Sequence, residues 1–173
     1  MRLLLTIAAG LWTFSGAVAF AQNQQTPQPS PCQGDQYRAF DFWLGEWDVF
    51  TPNGQKAGVN KITSEEQGCL ILERWTSAAG GTGQSYNYYD PGMKKWRQIW
   101  VNRDITIDYS GGLNDAGKMT LEGEIAYRNG TTAPFKGVWT LQNDGTIRQH
   151  FEQYNAQSDE WQAWFTGIYK KRE

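Results

Sequence analysis

The chain has 173 residues, with 16 lysine and arginine residues against 18 aspartate and glutamate residues, and its formal net charge is −2. Because the charges are dispersed and no basic block is longer than residues 170–172, the composition indicates neither a nucleic-acid-binding stripe nor a membrane-surface patch. A single histidine excludes a zinc site built from several histidines, and the length is that of one domain.

The first 21 residues have the pattern of a cleavable signal peptide. Arg2 provides a positive start, residues 3–14 form an apolar segment too short to span a bilayer, and Ala19 and Ala21 frame a small-residue cleavage site. We therefore expect cleavage after Ala21 and export to the periplasm or the extracellular medium. We expect no membrane insertion of the mature chain.

Residues 22–34 are rich in Pro and Gln and nearly free of apolar side chains, so they predict a flexible leader. Cys32 in this leader has one possible partner within the chain, Cys69, and the two would form a disulfide in an oxidising compartment. Two free thiols are the alternative. The folded domain is predicted to occupy residues 35–173.

The aromatic stretch at residues 40–50 predicts a short helical turn that leads into the first strand. Asp35 is a candidate N-cap for this turn. Gly45 would end it, because glycine adopts the left-handed conformation without a steric penalty. Beyond Gly45 the period changes to two, with Trp47 and Val49 on one side of a strand. The apolar residues of the turn, three or four positions apart, are Tyr37, Phe40, Trp43 and Leu44.

Ten strand-like runs follow one another at a spacing of about 8 to 12 residues, separated by turn signals such as Asn-Gly pairs. No long amphipathic helix intervenes, which excludes parallel α/β folds. We predict an all-β fold, an antiparallel up-and-down β-barrel of about ten strands with a short N-terminal helical plug. The runs cover residues 47–51, 56–63, 69–76, 84–89, 96–101, 105–109, 119–127, 135–141, 147–154 and 161–169.

Alternation along the later runs predicts which side chains point into the barrel. In the run at 119–127 these side chains alternate with Thr, Glu and Arg, and in the run at 135–141 they alternate with Lys and Thr. The predicted inward residues of the last runs are Met119, Leu121, Ile125, Tyr127, Phe135, Trp139, Leu141, Trp161, Phe165 and Tyr169.

Several runs carry polar residues on the same face as aromatic ones. Such residues either pair with one another in a filled core or converge on a cavity for a small, partly apolar molecule. A barrel of about eight to ten strands allows both interpretations. The candidate ligand-binding residues are Glu73, Asn87, Tyr89, Gln98, Trp100 and Gln149.

Four segments taken together resemble a family of exported bacterial domains of unknown function. They read FDFWLGEWDV at residues 40–49, GCLILERW at 68–75, GQSYNYYD at 83–90 and WRQIWV at 96–101. That family resembles the calycins, the superfamily of lipocalins and fatty-acid-binding proteins, whose Gly-x-Trp opening is similar to residues 45–47. The resemblance implies that Trp47 closes one end of the barrel and that Arg172 or Lys170 covers its ring by a cation–π contact.

Catalytic and cofactor motifs are mostly absent, so no cofactor or metal is expected. Haem ligation by His150 is disfavoured, because alternation places His150 on the outer face. Glu73 is the weak candidate for catalysis, since a carboxyl among apolar groups has a raised pKa and serves as an acid or base. The main expectation is an exported binding protein for a small, partly apolar molecule. The alternatives are a cofactor-free enzyme using Glu73 and a packed barrel acting as a surface-interaction protein.

Overall fold

The computed structural model describes residues 31–172 of the chain. The predicted signal peptide at residues 1–21 and most of the predicted leader at residues 22–34 lie outside the described residues. In the part that is described, no helix has the length and apolar character needed to cross a membrane.

Ten antiparallel strands close into a barrel, as the alternating runs and turn signals predicted. The strands are β1 (Gly45–Phe50), β2 (Lys56–Glu65), β3 (Leu70–Ser77), β4 (Thr82–Asp90), β5 (Lys95–Asn102), β6 (Ile105–Leu113), β7 (Lys118–Tyr127), β8 (Thr132–Leu141), β9 (Ile147–Asn155) and β10 (Glu160–Lys171). Each strand pairs with its neighbours along the chain, and β1 also pairs with β10. Because the sheet closes on itself, it has no free edge.

The predicted plug precedes β1 and consists of a short helix, α1 (Asp35–Arg38), and a 3₁₀ turn at Asp41–Trp43. Gly34 occupies the N-cap position of α1 and no side chain caps the helix, so the prediction that Asp35 is the cap was wrong. Gly45 begins β1 with a φ of 136°, a value that residues with a Cβ rarely adopt. The chain therefore turns from plug to strand at a position that favours glycine.

The plug packs its aromatic side chains into one end of the barrel, which we call the closed end. Phe40 stacks on Trp43 with ring centroids 4.9 Å apart, and both side chains are fully buried. Phe40 also meets Trp96 of β5 and Trp139 of β8 edge to face, at 5.7 and 5.3 Å. These large apolar rings turn the closed end into a packed core.

Trp47 lies inside the closed end, beside the plug. Its side chain is 2% exposed, and its indole Nε1 donates to the carbonyl oxygen of Trp43 at 2.9 Å. The amine that covers the ring belongs to Lys171, whose Nζ lies 5.7 Å from the ring centroid. The implied partners Lys170 and Arg172 were wrong, because Lys171 pairs directly with Trp47 and alternation turns its two neighbours outward.

The prediction that Trp161 faces inward was wrong. In β10 the register shifts between Ala163 and Phe165, and an extra residue in one strand reverses the alternation beyond it. Trp161 is consequently 40% exposed on the outside, where the Nζ of Lys136 lies 4.6 Å from its ring. Leu141 lies on the inward face, opposite the buried Ile147, and it is exposed because it is the last residue of β8, at the rim of the barrel.

The disulfide between Cys32 and Cys69 is present, so the predicted pairing is confirmed and the alternative of two free thiols was wrong. The bond joins residues 37 positions apart, with their Cα atoms 5.1 Å from each other. It ties the segment before the plug to the residue that precedes β3.

We expect the substitution Trp47→Ala to lower the free energy of unfolding by about 3 to 5 kcal/mol, because it removes a large, fully packed side chain. Urea denaturation measures this change. The matched control is Trp161→Ala, which removes the same side chain from the surface and should lower the free energy by less than about 1 kcal/mol. Equal effects of the two substitutions would contradict the placement of Trp47.

We also expect loss of the disulfide to destabilise the barrel by about 4 kcal/mol, since the bond restricts a long loop in the unfolded chain. Urea denaturation of a variant carrying both Cys32→Ser and Cys69→Ser measures the loss. Adding a reductant should destabilise the natural protein by a similar amount and leave the double variant unchanged. Equal stability of the oxidised protein and the double variant would refute the expectation.

Candidate functional site

The half of the barrel away from the plug contains a cavity of ≈ 200 Å³. It opens at the end of the barrel opposite the closed end, which we call the open end, and Trp164 is 44% exposed there. The side chains that line it come from β3, β5, β6, β9 and β10. The lining residues are Glu73, Trp75, Gln98, Trp100, Asn102, Ile105, Ile107, Tyr109, Gln149, Phe151, Trp164, Phe165 and Tyr169.

Glycines on the inner wall make room for two of the aromatic rings that line the cavity. A Cβ added at Gly83 of β4 would lie 2.2 Å from the ring of Trp100, and one added at Gly58 of β2 would lie 2.6 Å from the ring of Trp75. Real Cβ atoms do not approach other atoms so closely. Because each ring packs against bare backbone, it covers the wall of the barrel and leaves the centre open.

Eight buried side chains form a continuous hydrogen-bonded chain across the lumen, which we call the polar belt. None of them is more than 4% exposed. They come from seven strands, and nearly all buried polar groups in proteins are paired in this way. The members of the polar belt are Asn60, Glu73, Ser85, Asn87, Gln98, Tyr109, Gln149 and Tyr169.

Glu73 lies at the centre of the polar belt. Its Oε1 accepts a hydrogen bond from Nδ2 of Asn60 at 2.7 Å, and its Oε2 accepts one from the hydroxyl of Ser85 at 2.5 Å. Nδ2 of Asn60 also lies 3.2 Å from the hydroxyl oxygen of Tyr169, and that hydroxyl donates to Oε1 of Gln149 at 3.0 Å. One arm of the belt therefore links the carboxyl group to β2, β10 and β9.

The other arm of the polar belt runs through β4, β5 and β6. Nδ2 of Asn87 donates to the hydroxyl oxygen of Ser85 at 2.9 Å and to the carbonyl oxygen of Ile71 at 3.0 Å. Oδ1 of Asn87 accepts from Nε2 of Gln98, and Oε1 of Gln98 accepts from the hydroxyl of Tyr109. Both ends of the Gln98 amide are thus engaged within the protein.

The charge of the site is set by Glu73. Burial raises the pKa of this carboxyl group from 4.5 to about 7, although the hydrogen bonds from Ser85 and Asn60 lower it. Burial, followed by the nearby charge of Glu73, also raises the pKa of Tyr109 and that of Tyr169 well above their usual value. Both tyrosines are therefore neutral at physiological pH, while Glu73 titrates in that range.

The structure brings four of the six predicted ligand-binding residues onto the cavity, namely Glu73, Gln98, Trp100 and Gln149. Asn87 is fully buried and does not line the cavity, but its Oδ1 accepts a hydrogen bond from Gln98, which does. Tyr89 lies at the closed end and contacts Tyr37 of the plug, with ring centroids 5.0 Å apart. An inward position on the sheet was not sufficient to place Tyr89 on the cavity, because the plug occupies the half of the lumen that the Tyr89 side chain enters.

Sequence reasoning missed several residues that shape the site. Asn60 and Tyr169 were not chosen, although each faces inward by simple alternation from Ile62 and Gly167. Trp75 was not chosen either, yet it lines the cavity. Alternation places all three on the inner face, and Tyr169 was predicted to face inward, but alternation carries no signal that the three side chains meet across the lumen.

His150 lies on the outer face of β9, as its position in the alternation predicted. Its Nδ1 is 2.7 Å from the hydroxyl oxygen of Thr166, and it does not line the cavity. Across residues 31–172, no group of three His, Cys, Asp or Glu side chains is arranged to hold a metal ion.

The chemistry that the site offers is proton exchange at Glu73, because a pKa near 7 suits a general acid or base at neutral pH. Ser85 is 2.5 Å from this carboxyl group but is fully buried and does not line the cavity. Its hydroxyl therefore cannot reach a molecule bound in the cavity, which argues against a serine nucleophile.

Neither a protein-family model nor a curated protein sequence matches this chain.

The raised pKa of Glu73 predicts how stability depends on pH. In the unfolded chain this carboxyl group ionises near 4.5, whereas in the barrel it ionises near 7, so the folded state binds the proton more tightly. The stability that the folded state gains by binding this proton is fully present below the unfolded pKa of 4.5. It is lost as the pH rises through about 7.

Between about pH 4 and pH 8 we therefore expect the natural protein to lose about 3 kcal/mol of stability relative to Glu73→Gln, which carries no titrating group. Urea denaturation of both proteins at the two pH values measures this difference. Glu124→Gln, which removes an exposed carboxyl group from β7, should show no such pH-dependent difference. Parallel pH profiles of the natural protein and Glu73→Gln would show that Glu73 ionises normally.

Proposed function

We propose that the protein binds a small, partly apolar molecule in the cavity at the open end of the barrel, outside the cytoplasm. The observation that carries this proposal is an open cavity whose walls are mostly aromatic and whose inner end meets the polar belt. Small-molecule sites in proteins typically combine apolar walls with a few placed polar groups.

The size of the cavity supports a ligand with one ring or a short acyl chain. A dry cavity of about 150 Å³ binds benzene, and pockets for drug-sized molecules begin near about 300 Å³. The ≈ 200 Å³ found here lies between these values. A long-chain lipid would extend well beyond the open end.

The lining residues have different proposed roles. Trp75 and Trp100 provide flat surfaces on which a ring or chain stacks. Glu73 and Gln149 meet the polar end of the ligand, since Nε2 of Gln149 donates no hydrogen bond within the described part of the chain. Gln98 has the proposed role of a brace, because its amide is already bonded to Asn87 and Tyr109.

The proposed location outside the cytoplasm rests on the expected signal peptide and is supported by the disulfide, which persists in oxidising compartments. We also propose that the chain is related to the calycins. The closed ten-strand barrel and the buried Trp47 of the Gly-x-Trp sequence support this relation.

A cofactor-free enzyme is the second candidate function, favoured by the position of Glu73 on the cavity wall and by its pKa of about 7. A compound that is converted in the cavity should no longer be converted by Glu73→Gln, while its binding persists. The third interpretation, a barrel acting through its outer surface alone, requires a filled lumen. The open cavity weighs against it.

Ligand binding is tested by closing the cavity from its wall. We expect Gly83→Ala to push the ring of Trp100 into the lumen, because the added Cβ would lie 2.2 Å from that ring. The affinity for benzyl alcohol, measured by calorimetric titration and by quenching of tryptophan fluorescence, should fall more than about tenfold.

The matched control for this experiment is Gly112→Ala in β6. An added Cβ at Gly112 would meet no atom within 4 Å, so this substitution should leave the affinity within about twofold. An unchanged affinity in Gly83→Ala would place the binding site outside the lumen. If the natural protein binds neither short-chain alcohols nor single-ring probes such as benzyl alcohol, the proposed function is refuted.

A further inference from the structure

We further propose that the ligand carries a positively charged nitrogen, as an amine or another small organic cation, and that the carboxylate of Glu73 is its counter-ion inside the barrel. This inference rests on the proposed function and adds the chemical class of the ligand. It is argued from the position of Glu73, the absence of a competing cation on the cavity wall and the nature of the other lining side chains.

Glu73 is one of the residues that line the cavity, and it is only 4% exposed. Each of its carboxyl oxygens accepts one hydrogen bond from the protein, from Asn60 and from Ser85. An ionised carboxylate accepts about four hydrogen bonds, so half of its capacity remains for a donor in the cavity. An ammonium group supplies up to three such donors.

No basic side chain neutralises Glu73. Among the residues that line the cavity in the described part of the chain there is no lysine, arginine or histidine. Lys61 and Arg74, which flank the lumen positions 60 and 73 in sequence, point outward and pair with Glu46 and Glu65. Within the described part of the chain, Glu73 is therefore a buried acid without a basic partner, and buried charges in proteins are normally paired.

The walls around Glu73 also favour a cation. Trp75, Trp100, Phe151, Trp164 and Phe165 line the cavity. The faces of aromatic rings carry negative electrostatic potential and attract cations, tryptophan most strongly. An anionic ligand would meet these faces and the carboxylate without any basic partner. A neutral ligand would leave the carboxylate unpaired.

Among the described side chains around Glu73, none other changes its charge near pH 7. Asn60 of β2, Ser85 of β4, Gln98 of β5 and Gln149 of β9 carry no ionisable group. The tyrosines of β6 and β10 are neutral below their raised pKa values. The inward residues of β1, β7 and β8 near the lumen are apolar, with Val49, Leu121 and Trp139 among them. Amine binding should therefore increase as the pH rises through about 7.

The experiment compares benzylamine with benzyl alcohol, two probes of nearly equal size and shape, by calorimetric titration of the full chain. From about pH 6 to pH 8, where an amine stays protonated, the affinity for benzylamine should increase about tenfold as Glu73 ionises. The affinity for benzyl alcohol should not increase over this range. At about pH 8, Glu73→Gln should weaken benzylamine binding about thirtyfold or more and weaken benzyl alcohol binding much less, because only the amine loses a charged partner.

Glu124→Gln is the control, because it removes the same charge from the outer surface and should leave both affinities unchanged. Binding of benzyl alcohol with equal, pH-independent binding of benzylamine would overturn the cation proposal and leave the proposed function standing. Stronger binding of benzoate than of benzylamine would also overturn it. Binding of none of the three probes would remove both proposals. The pH profile of the natural protein decides the question even if Glu73→Gln does not fold.

Discussion

The aromatic side chains of the plug pack into one end of the barrel, and this packing determines where the core ends and the cavity begins. The interior of a barrel of about this size is either filled by its own side chains or able to hold a small ligand. Phe40 and Trp43 stack there against Trp96 and Trp139 and fill one half. The closed end thus supplies the hydrophobic core, and the open end is left to form a cavity.

The polar belt contains the group that lowers the stability of the barrel, the buried carboxyl group of Glu73. Seven strands contribute side chains that hydrogen-bond to one another, although Oδ1 of Asn60 has no partner within the described residues. The carboxyl group at the centre accepts two hydrogen bonds, and no described residue that lines the cavity is basic. Ionisation of a buried acid of this kind destabilises the barrel at neutral pH, which is why its pKa is raised. Groups with strongly perturbed pKa values in cavities are frequent at functional sites, which makes Glu73 the most informative residue in the lumen.

Much of the fold could be predicted from the sequence, because the signals involved are local. Alternation with period two identified the ten strands and placed Glu73, Gln98 and Gln149 on the inner face. Turn residues marked the connections, and the even number of cysteines predicted the bond between Cys32 and Cys69. The site was predictable only as a set of inward positions, since alternation gives a direction and not a depth along the barrel.

The sequence by itself therefore determined an all-β chain with a helical start, an aromatic interior and a few inward polar residues. Only the tertiary structure decided that Tyr89 lies in the packed half, that a register shift turns Trp161 outward and that Lys171 covers Trp47. It also decided that none of the described residues lining the cavity with Glu73 is basic. These outcomes depend on strand register, closure of the barrel and the depth of the plug, which bring together residues far apart in the chain and leave no trace in any local window of sequence.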